Sequence, residues 1–367
     1  MRPETEAALA ENIAAARAPL RIVGGGTRDI GAPVAGELVE TAGMSGITLY
    51  EPGALTLVAK AGTPLSEIEA AVATENQRLA FEPMDHRGLL GTSGTSTIGG
   101  CVAANVSGPR RISVGACRDH MLGVRMVDGA GRILKNGGRV MKNVTGYDLV
   151  KLMSGSFGTL GVLTEVSLKV LPVAQTQATI ILHDIDAVRA VEALSAGLGS
   201  PYEVTGAAYD PALREAYLRI EGFEDSVAYR TGELKKVLAG FGEMSVSDDV
   251  TLWEGIRDVS VFQGKEGDVW RISVRPSDAP AVLEAAGADA ALLDWGGGLI
   301  WLRVAEGRDV RAALQGISGH ATLVRASAQT RASLAVFHPE DAGVRRLSDA
   351  LRAKFDPRGI LNTGLMG

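Results

Sequence analysis

The sequence predicts an α+β protein built from two parts, a glycine-threaded first domain followed by an antiparallel α+β cap domain. Three observations carry this expectation. Glycine-rich clusters recur at 24–26, 91–100 and 155–161, each close to a β-rich run. From Val162 to Val170 apolar and polar residues alternate at a period of two, and Pro172 ends the run. Beyond Pro172 such clusters become rarer, and all four Trp residues (253, 270, 295, 301) lie past position 250. The expected boundaries are therefore 1–172 for the first domain and 173–335 for the cap.

Each element has its own signal. Residues 3–17 are rich in Ala and Glu and read as a surface helix. Pro19 to Val23 reads as a strand that runs straight into Gly24-Gly25-Gly26-Thr27. Residues 55–59 form a second strand. Thr63 then caps a helix with Pro64 at its first position, where the missing N–H is harmless. Leu65, Ile68 and Val72 lie on one face of that helix, which is expected to end near Arg78. The stretch Thr97 to Asn105 reads as a second glycine loop. Asp128-Gly129 between two β-rich runs signals a hairpin of 123–127 with 132–135. Residues 147–153 read as a short helix. In the cap, strands at 269–274 and 299–304 alternate with Ala-rich helices near 187–197, 280–292 and 308–315, as in an antiparallel α+β layer. A last helix, 344–355, precedes the tail Asp356-Pro357-Arg358-Gly359-Ile360-Leu361-Asn362.

Composition narrows the function classes. The 367 residues carry 46% hydrophobic and 22% charged side chains, ordinary for a globular chain. A net charge of −6 argues against a dedicated nucleic-acid binder. Cys101 and Cys117 are the two cysteines, and neither sits in a C-x-x-C. Cysteine-ligated clusters, zinc ribbons and a disulfide framework are not expected, which suits a reducing cytosol. The charged residues within 1–20 leave no uninterrupted apolar stretch of signal-peptide type, and no run of 18 apolar residues suggests a membrane span.

Two glycine loops some 75 residues apart ask for a ligand. Gly24, Gly25, Gly26, Thr27 and Arg28 follow a strand directly, and Thr97, Gly99, Gly100, Ala103 and Asn105 follow an extended segment. Glycine lets backbone N–H groups turn inward as an anion nest, and Thr and Ser hydroxyls add donors. Either loop alone is as readily a tight turn. Together with Gly155-Ser156-Phe157-Gly158-Thr159-Leu160-Gly161 they point to a pyrophosphate. There is no G-x-x-x-x-G-K-[ST], and no G-x-G-x-x-G opens a helix, so neither a P-loop nor a Rossmann turn is present. The anion is expected to be held by loops alone.

The clusters, taken in order, resemble the FAD-binding domain of the vanillyl-alcohol oxidase and para-cresol methylhydroxylase superfamily (PCMH-type). Within it the chain is most similar to the FAD-binding subunits of bacterial glycolate oxidase (glycolate dehydrogenase). The residues that carry the likeness are Ile98-Gly99-Gly100, Ser107-Gly108-Pro109-Arg110-Arg111, Arg118-Asp119, Val140-Met141-Lys142-Asn143, Gly146-Tyr147-Asp148-Leu149 and the run from Gly158 to Glu165. The resemblance implies FAD, with its pyrophosphate between 24–28 and 97–103. It also implies backbone contacts from Gly161 and Val162, and places Thr145, Gly146, Tyr147 and Asn362 near the isoalloxazine. Residues 336–367 would form a C-terminal helix and tail that return to the FAD domain. Many relatives attach FAD through a His just after the first loop. Here Thr27, Arg28 and Asp29 stand there, so the FAD is expected to be non-covalent. Val23 stands where many relatives have Arg.

The resemblance also implies an oxidoreductase that works in a complex oxidising glycolate to glyoxylate. Its partners would be a homologous flavin subunit and an iron–sulfur subunit, in the cytoplasm or peripheral at the inner membrane through those partners. Relatives acting on 2-hydroxy acids usually carry a His- and Glu-rich metal site in the second domain. Residues 172–330 hold only His183 and His320, so no metal is expected and no catalytic residue is assigned. A stand-alone FAD-dependent 2-hydroxy-acid dehydrogenase and a non-catalytic flavoprotein scaffold are the competing readings. Several residues keep two readings. Arg110 and Arg111 either place charge near the flavin or a substrate carboxylate, or serve as surface charge or an ion pair with Asp119. Tyr147 either bonds near the flavin or packs. His120 is either a base or a structural ring. Trp270 and Trp301 read as core, and Cys101 as a small buried hydrophobe.

Overall fold

The computed structural model describes residues 1–139 and 146–367. The segment 140–145 lies outside them, and with it the expectation for Thr145 and for the run Val140 to Asn143. The first unit is a five-stranded antiparallel sheet in the spatial order Ile47–Glu51, Thr56–Lys60, Val162–Lys169, Met121–Val127, Ile133–Gly137. Val162–Lys169 sits at its centre, and six of its eight residues are buried, so both faces are covered rather than one. The hairpin forms as its Asp-Gly turn requires, with Val127 opposite Ile133. Asp128 ties that turn down by accepting from the N–H groups of Ala130 and Arg132.

The second unit is an eight-stranded antiparallel sheet. Its spatial order is Met244–Ser247, Thr176–Leu182, Glu215–Gly222, Val204–Asp210, Ala290–Asp294, Leu299–Val304, Asp268–Val274, Gly319–Arg325. The helices Ala187–Leu198 and Glu224–Leu238 pack against it. Trp270 and Trp301 are both buried, and the Trp270 indole N–H donates to Arg308 O.

Several local expectations need correction. The first helix is shorter, Glu6–Ala15, because Thr5 caps it through Ala8 N. Thr63 does not cap the next helix, Leu65–Ala73: its hydroxyl is spent on Lys60 O and Gly46 N, and Pro64 takes the cap position. That helix also ends before Arg78, since Asn76 turns into the left-handed region and Gln77–Arg78 pair with Leu171–Pro172. The helix near 280–292 stops at Ala286, where Gly287 adopts φ +54°, and Ala290–Asp294 is a strand. Thr97 to Asn105 is not a loop but mostly the helix Ile98–Ala103, capped by the Thr97 hydroxyl.

The tail packs back on the first unit. Leu20 N donates to Ile360 O and Asn362 N to Leu20 O, so the strand Leu20–Val23 is flanked by Glu37–Glu40 on one side and the tail on the other. Arg358 anchors the turn by donating to Ala14 O, Ala16 O and Gly129 O.

The two units meet over a buried charge network. Arg110, 5% exposed, forms a two-pronged pair with Glu221 at 2.8 and 2.9 Å and also meets Glu82 at 2.9 Å. Arg219 makes its own fork to Glu82 at 2.9 and 3.0 Å, and Arg78 reaches Glu221 at 2.7 Å. Arg110 is thus an inter-unit ion pair, not a partner of Asp119; its alternative place near a flavin is closed to it by these bonds.

Candidate functional site

A cleft with a cavity volume of about 150 Å³ runs between the first glycine loop, the helix Ile98–Ala103, the turn at Phe157–Leu163 and the returning tail. Gly24, Gly25, Gly26, Thr27, Arg28, Thr97, Gly99, Gly100, Ala103, Gly161, Val162 and Asn362 all line it. Two kinds of glycine build it. At Gly25 a Cβ would fall 1.5 Å from Thr95 O, and at Gly94 one would fall 1.7 Å from Gly25 O, so these two serve backbone-on-backbone packing of one loop against the other. Gly26 has φ +73° and open space where a side chain would go, so it shapes the loop around the cleft.

Hydrogen-bond accounting separates the two loops further. Ile98 N donates to Thr63 O, Gly99 N to Ala61 O and Gly100 N to the Thr97 hydroxyl, so the first turn of this helix has spent its donors. In contrast, the N–H groups of Gly25, Gly26, Thr27 and Arg28 meet no acceptor among the described residues. Consecutive unspent N–H groups form an anion nest. Arg28 adds a fixed charge. Its Nε donates to His86 Nδ1 at 3.2 Å and its Nη2 to Met84 O at 3.4 Å, which leaves Nη1 beside Gly100. Nδ1 of His86 also lies 3.3 Å from Met84 O. Because arginine is a donor only, the Arg28 bond is made when Nδ1 is unprotonated and the ring neutral, and Met84 O is then served by Arg28 instead. Burial, reinforced by the Arg28 charge, holds the His86 pKa down to about 3.

The opposite wall is the turn after Met153. Asn362 joins it to the floor: its Oδ1 accepts from Ile22 N at 2.7 Å and its Nδ2 donates to Phe157 O at 2.8 Å. Leu365 folds over Gly31, where a Cβ would sit 2.7 Å from the leucine, and Ala32 N donates to Leu365 O. Ile22, Ile30, Thr41, Ala61, Phe157, Leu163 and Leu365 line the cleft without having been singled out as site residues. Phe157 lay within a noted glycine motif. Leu163 lay in the run from Gly158 to Glu165 and Ile22 in the strand that leads into the first loop. Ile30, Thr41, Ala61 and Leu365 had no local signal, since strand register and tail packing bring them there.

Asn105, Gly146 and Tyr147 are not among the described lining residues. Asn105 accepts from Arg118 N and so braces a neighbouring turn. Tyr147 is 89% exposed, and its carbonyl rather than its ring is engaged, by Asn136. His120 is buried with Nε2 on Val114 O, its ring tilted at 50° to Phe81 with centroids 5.6 Å apart, and it is not paired with Asp119. Among the described residues no three His, Cys, Asp or Glu side chains converge as a metal site requires.

A cleft lined by four unspent N–H groups and one oriented guanidinium fits a pyrophosphate-bearing cofactor. The described lining residues include no His, Cys or Tyr to which FAD is ordinarily tethered. Comparison with known proteins agrees. Residues 1–137 match the FAD binding domain family, and FAD is the cofactor. The chain is 38% identical over 355 residues to glycolate oxidase subunit GlcE of Escherichia coli K12, covering 95% of this chain and 93% of that protein. It is 42% identical to glycolate oxidase subunit GlcD of Bacillus subtilis over 94 residues, 25% of this chain and 20% of that one. Among solved structures, an alkyldihydroxyacetonephosphate synthase shares the fold at 17% identity, with a TM-score of 0.74 over 99% of this chain and 75% of its own. The chain belongs to the GlcE family of glycolate oxidase subunits, FAD-dependent oxidoreductases of the PCMH-type fold.

Proposed function

We propose that this chain is a redox subunit of a complex that oxidises glycolate to glyoxylate, and that it hands electrons on through a partner iron–sulfur subunit. Full-length similarity to a glycolate oxidase subunit is the observation that carries this reading. In it, the N–H groups of Gly25 to Arg28 and the Arg28 guanidinium hold the cofactor pyrophosphate. Gly161, Val162 and Asn362 bound the other side. When bound, FAD supplies reversible acceptance of two electrons. The chain's own residues orient it and exclude water through Phe157, Leu163 and Leu365.

The division of labour follows from what a hydroxy acid needs. Its carboxylate must be held, and a base must take its hydroxyl proton. Arginine stays protonated and is a poor base, and no converging metal ligands are found among the described residues. A homologous flavin subunit would therefore carry the turnover site. No helix among the described residues is long and apolar enough to cross a membrane, and we place the chain in the cytoplasm or at the inner membrane through its partners. The test is an acceptor-dye assay. The isolated, FAD-loaded chain is expected to turn over glycolate and lactate poorly or not at all, and activity should appear when the partner subunits are added. Turnover by the isolated chain equal to that of the complex would overturn the reading in favour of a stand-alone dehydrogenase.

A further inference from the structure

Two guanidinium groups from distant parts of the chain converge on one indole. Arg111, which opens the short helix Arg111–Val114 of the first unit, has its Cζ 4.5 Å from the Trp295 ring centroid. Arg271, in the middle of the cap strand Asp268–Val274, has its Cζ 5.1 Å from the same centroid. Trp295 is itself fixed, since its Nε1 donates to Gly108 O across the unit boundary.

Neither guanidinium forms an ion pair or a hydrogen bond among the described residues, although both are half-buried. The neighbouring Arg110 and Arg219, by contrast, are fully engaged with carboxylates. Segment 140–145 contains no acidic residue that could compensate the pair. The positive charge is only partly offset: Asp294 acts against it on Arg271 and Asp119 on Arg111, without forming an ion pair with either. Burial and then Arg111 lower the Arg271 pKa to about 10, and burial and then Arg271 lower that of His320. The Arg271 charge also reaches His86, the ring that carries Arg28 of the cofactor cleft. Polar donors share the strand face. Thr322 lies opposite Arg271, and His320 lies opposite Ser273, two residues on. Asp294, the nearby acid, is buried with its pKa raised to about 7.

We propose that Arg111 and Arg271, held against Trp295 where the first unit meets the cap, bind the carboxylate of a small 2-hydroxy or 2-oxo acid. Two planar guanidinium forks match a carboxylate, and an aromatic platform keeps them from collapsing onto protein acceptors. The choice of acid class rests on the reading of the chain as a subunit for hydroxy-acid oxidation. Guanidinium groups that stay protonated hold a carboxylate without taking the hydroxyl proton themselves, which is consistent with a chain that holds such an acid and turns it over poorly alone.

The test is calorimetric titration of the FAD-loaded chain with glycolate and oxalate, with glycolamide as the neutral isostere and inorganic phosphate as a competing anion. Saturable binding of the two carboxylates and none of glycolamide is expected. Arg111→Gln and Arg271→Gln should each weaken it at least tenfold while flavin content, read from the visible spectrum, stays at the parent level. Arg275→Gln, an exposed residue paired with Asp278, should change nothing. Absence of saturable carboxylate binding, equal binding of glycolamide, tighter binding of phosphate, or indifference to both substitutions would overturn the proposal. If Arg271→Gln does not fold, Arg111→Gln decides alone. Because the readout is binding, it stands apart from the dye assay: failed turnover of the reconstituted complex strikes the functional reading, and failed titration strikes this one.

Discussion

At the scale of single residues, the cleft depends on positions where a side chain would be an intrusion and on one ring that holds a charge in place. A Cβ at Gly100 would meet the Thr97 hydroxyl at 3.2 Å and Arg28 Nη1 at 3.6 Å, so the methyl groups of Gly100→Val would press on both. The backbone there is helical and tolerates valine, so the fold should survive. Displacing Arg28 from a phosphate is expected to weaken FAD binding by about 1.5–3 kcal/mol. Fluorescence titration of the apo-protein with FAD measures this; an affinity within threefold of the parent would show that this wall does not face the phosphates. His86 acts through Arg28. His86→Leu removes the acceptor for Arg28 Nε and should lower FAD affinity severalfold, whereas His86→Asn, which retains an acceptor, should restore part of it. The neutral ring also has a pH consequence. Its folded pKa of about 3 lies below the ordinary value near 6.5. The folded state therefore keeps its full advantage above pH 6.5 and loses it as pH falls towards 3. His86→Asn should flatten that part of the stability profile in a pH series of thermal melts.

At the scale of elements, local chemistry was legible and long-range placement was not. The Asp-Gly hairpin, the alternation after Gly161 and the FAD-type glycine clusters were readable because a turn or a period encodes each within a few residues. Where Gly-Gly stands after Thr97, glycine content suggested a loop. The hydroxyl of Thr97 and the docking of Gly99 on Ala61 instead permit a helix, because glycine there serves close packing rather than a turn. Ala290–Asp294 looked helical by composition, but its pairing with Leu299–Val304 decides the matter, and pairing is invisible to a local window. Leu365 and Thr41 reach the cleft only through the tail and the strand Leu20–Val23. That dependence can be tested. Asn362 joins Ile22 and Phe157, and replacing it with Ala removes two hydrogen bonds at a buried position. A loss of about 1–3 kcal/mol in apo-protein stability is expected, together with weaker FAD binding. Weaker FAD binding with unchanged apo stability would instead mean that Asn362 acts on the cofactor alone.

At the scale of the whole molecule, the two sheets are joined through charge as well as through packing, and that junction sets the response to acid. Glu221 is 9% exposed and lies among Arg110, Arg219 and Arg78. Burial alone would raise its pKa. The Arg110 fork and the two further guanidinium groups outweigh burial and hold the carboxyl well below the usual carboxylate range. A depressed carboxylate stabilises the fold fully above its unfolded pKa, about 4.3. That contribution is lost as pH falls from there through the folded value. Protonation would leave Arg110 and Arg219 buried with fewer anions, and the inter-unit face is where this charge would be relieved. Removing one partner of a buried pair costs more than the pair itself contributes, about 3–5 kcal/mol, because an uncompensated charge stays behind. Glu221→Gln is therefore expected to destabilise the protein at pH 7 by that order and to flatten the fall in stability between pH 5 and the folded pKa. Glu221→Gln with Arg110→Met, which removes both charges of the bidentate pair, should recover most of the loss at pH 7. Thermal melts of the three proteins from pH 7 to pH 3 measure both effects. A single mutant that keeps the parent's acid profile would show that the junction does not govern acid sensitivity. A double mutant no better than the single one would mean that Arg110 holds the two units together through packing rather than charge.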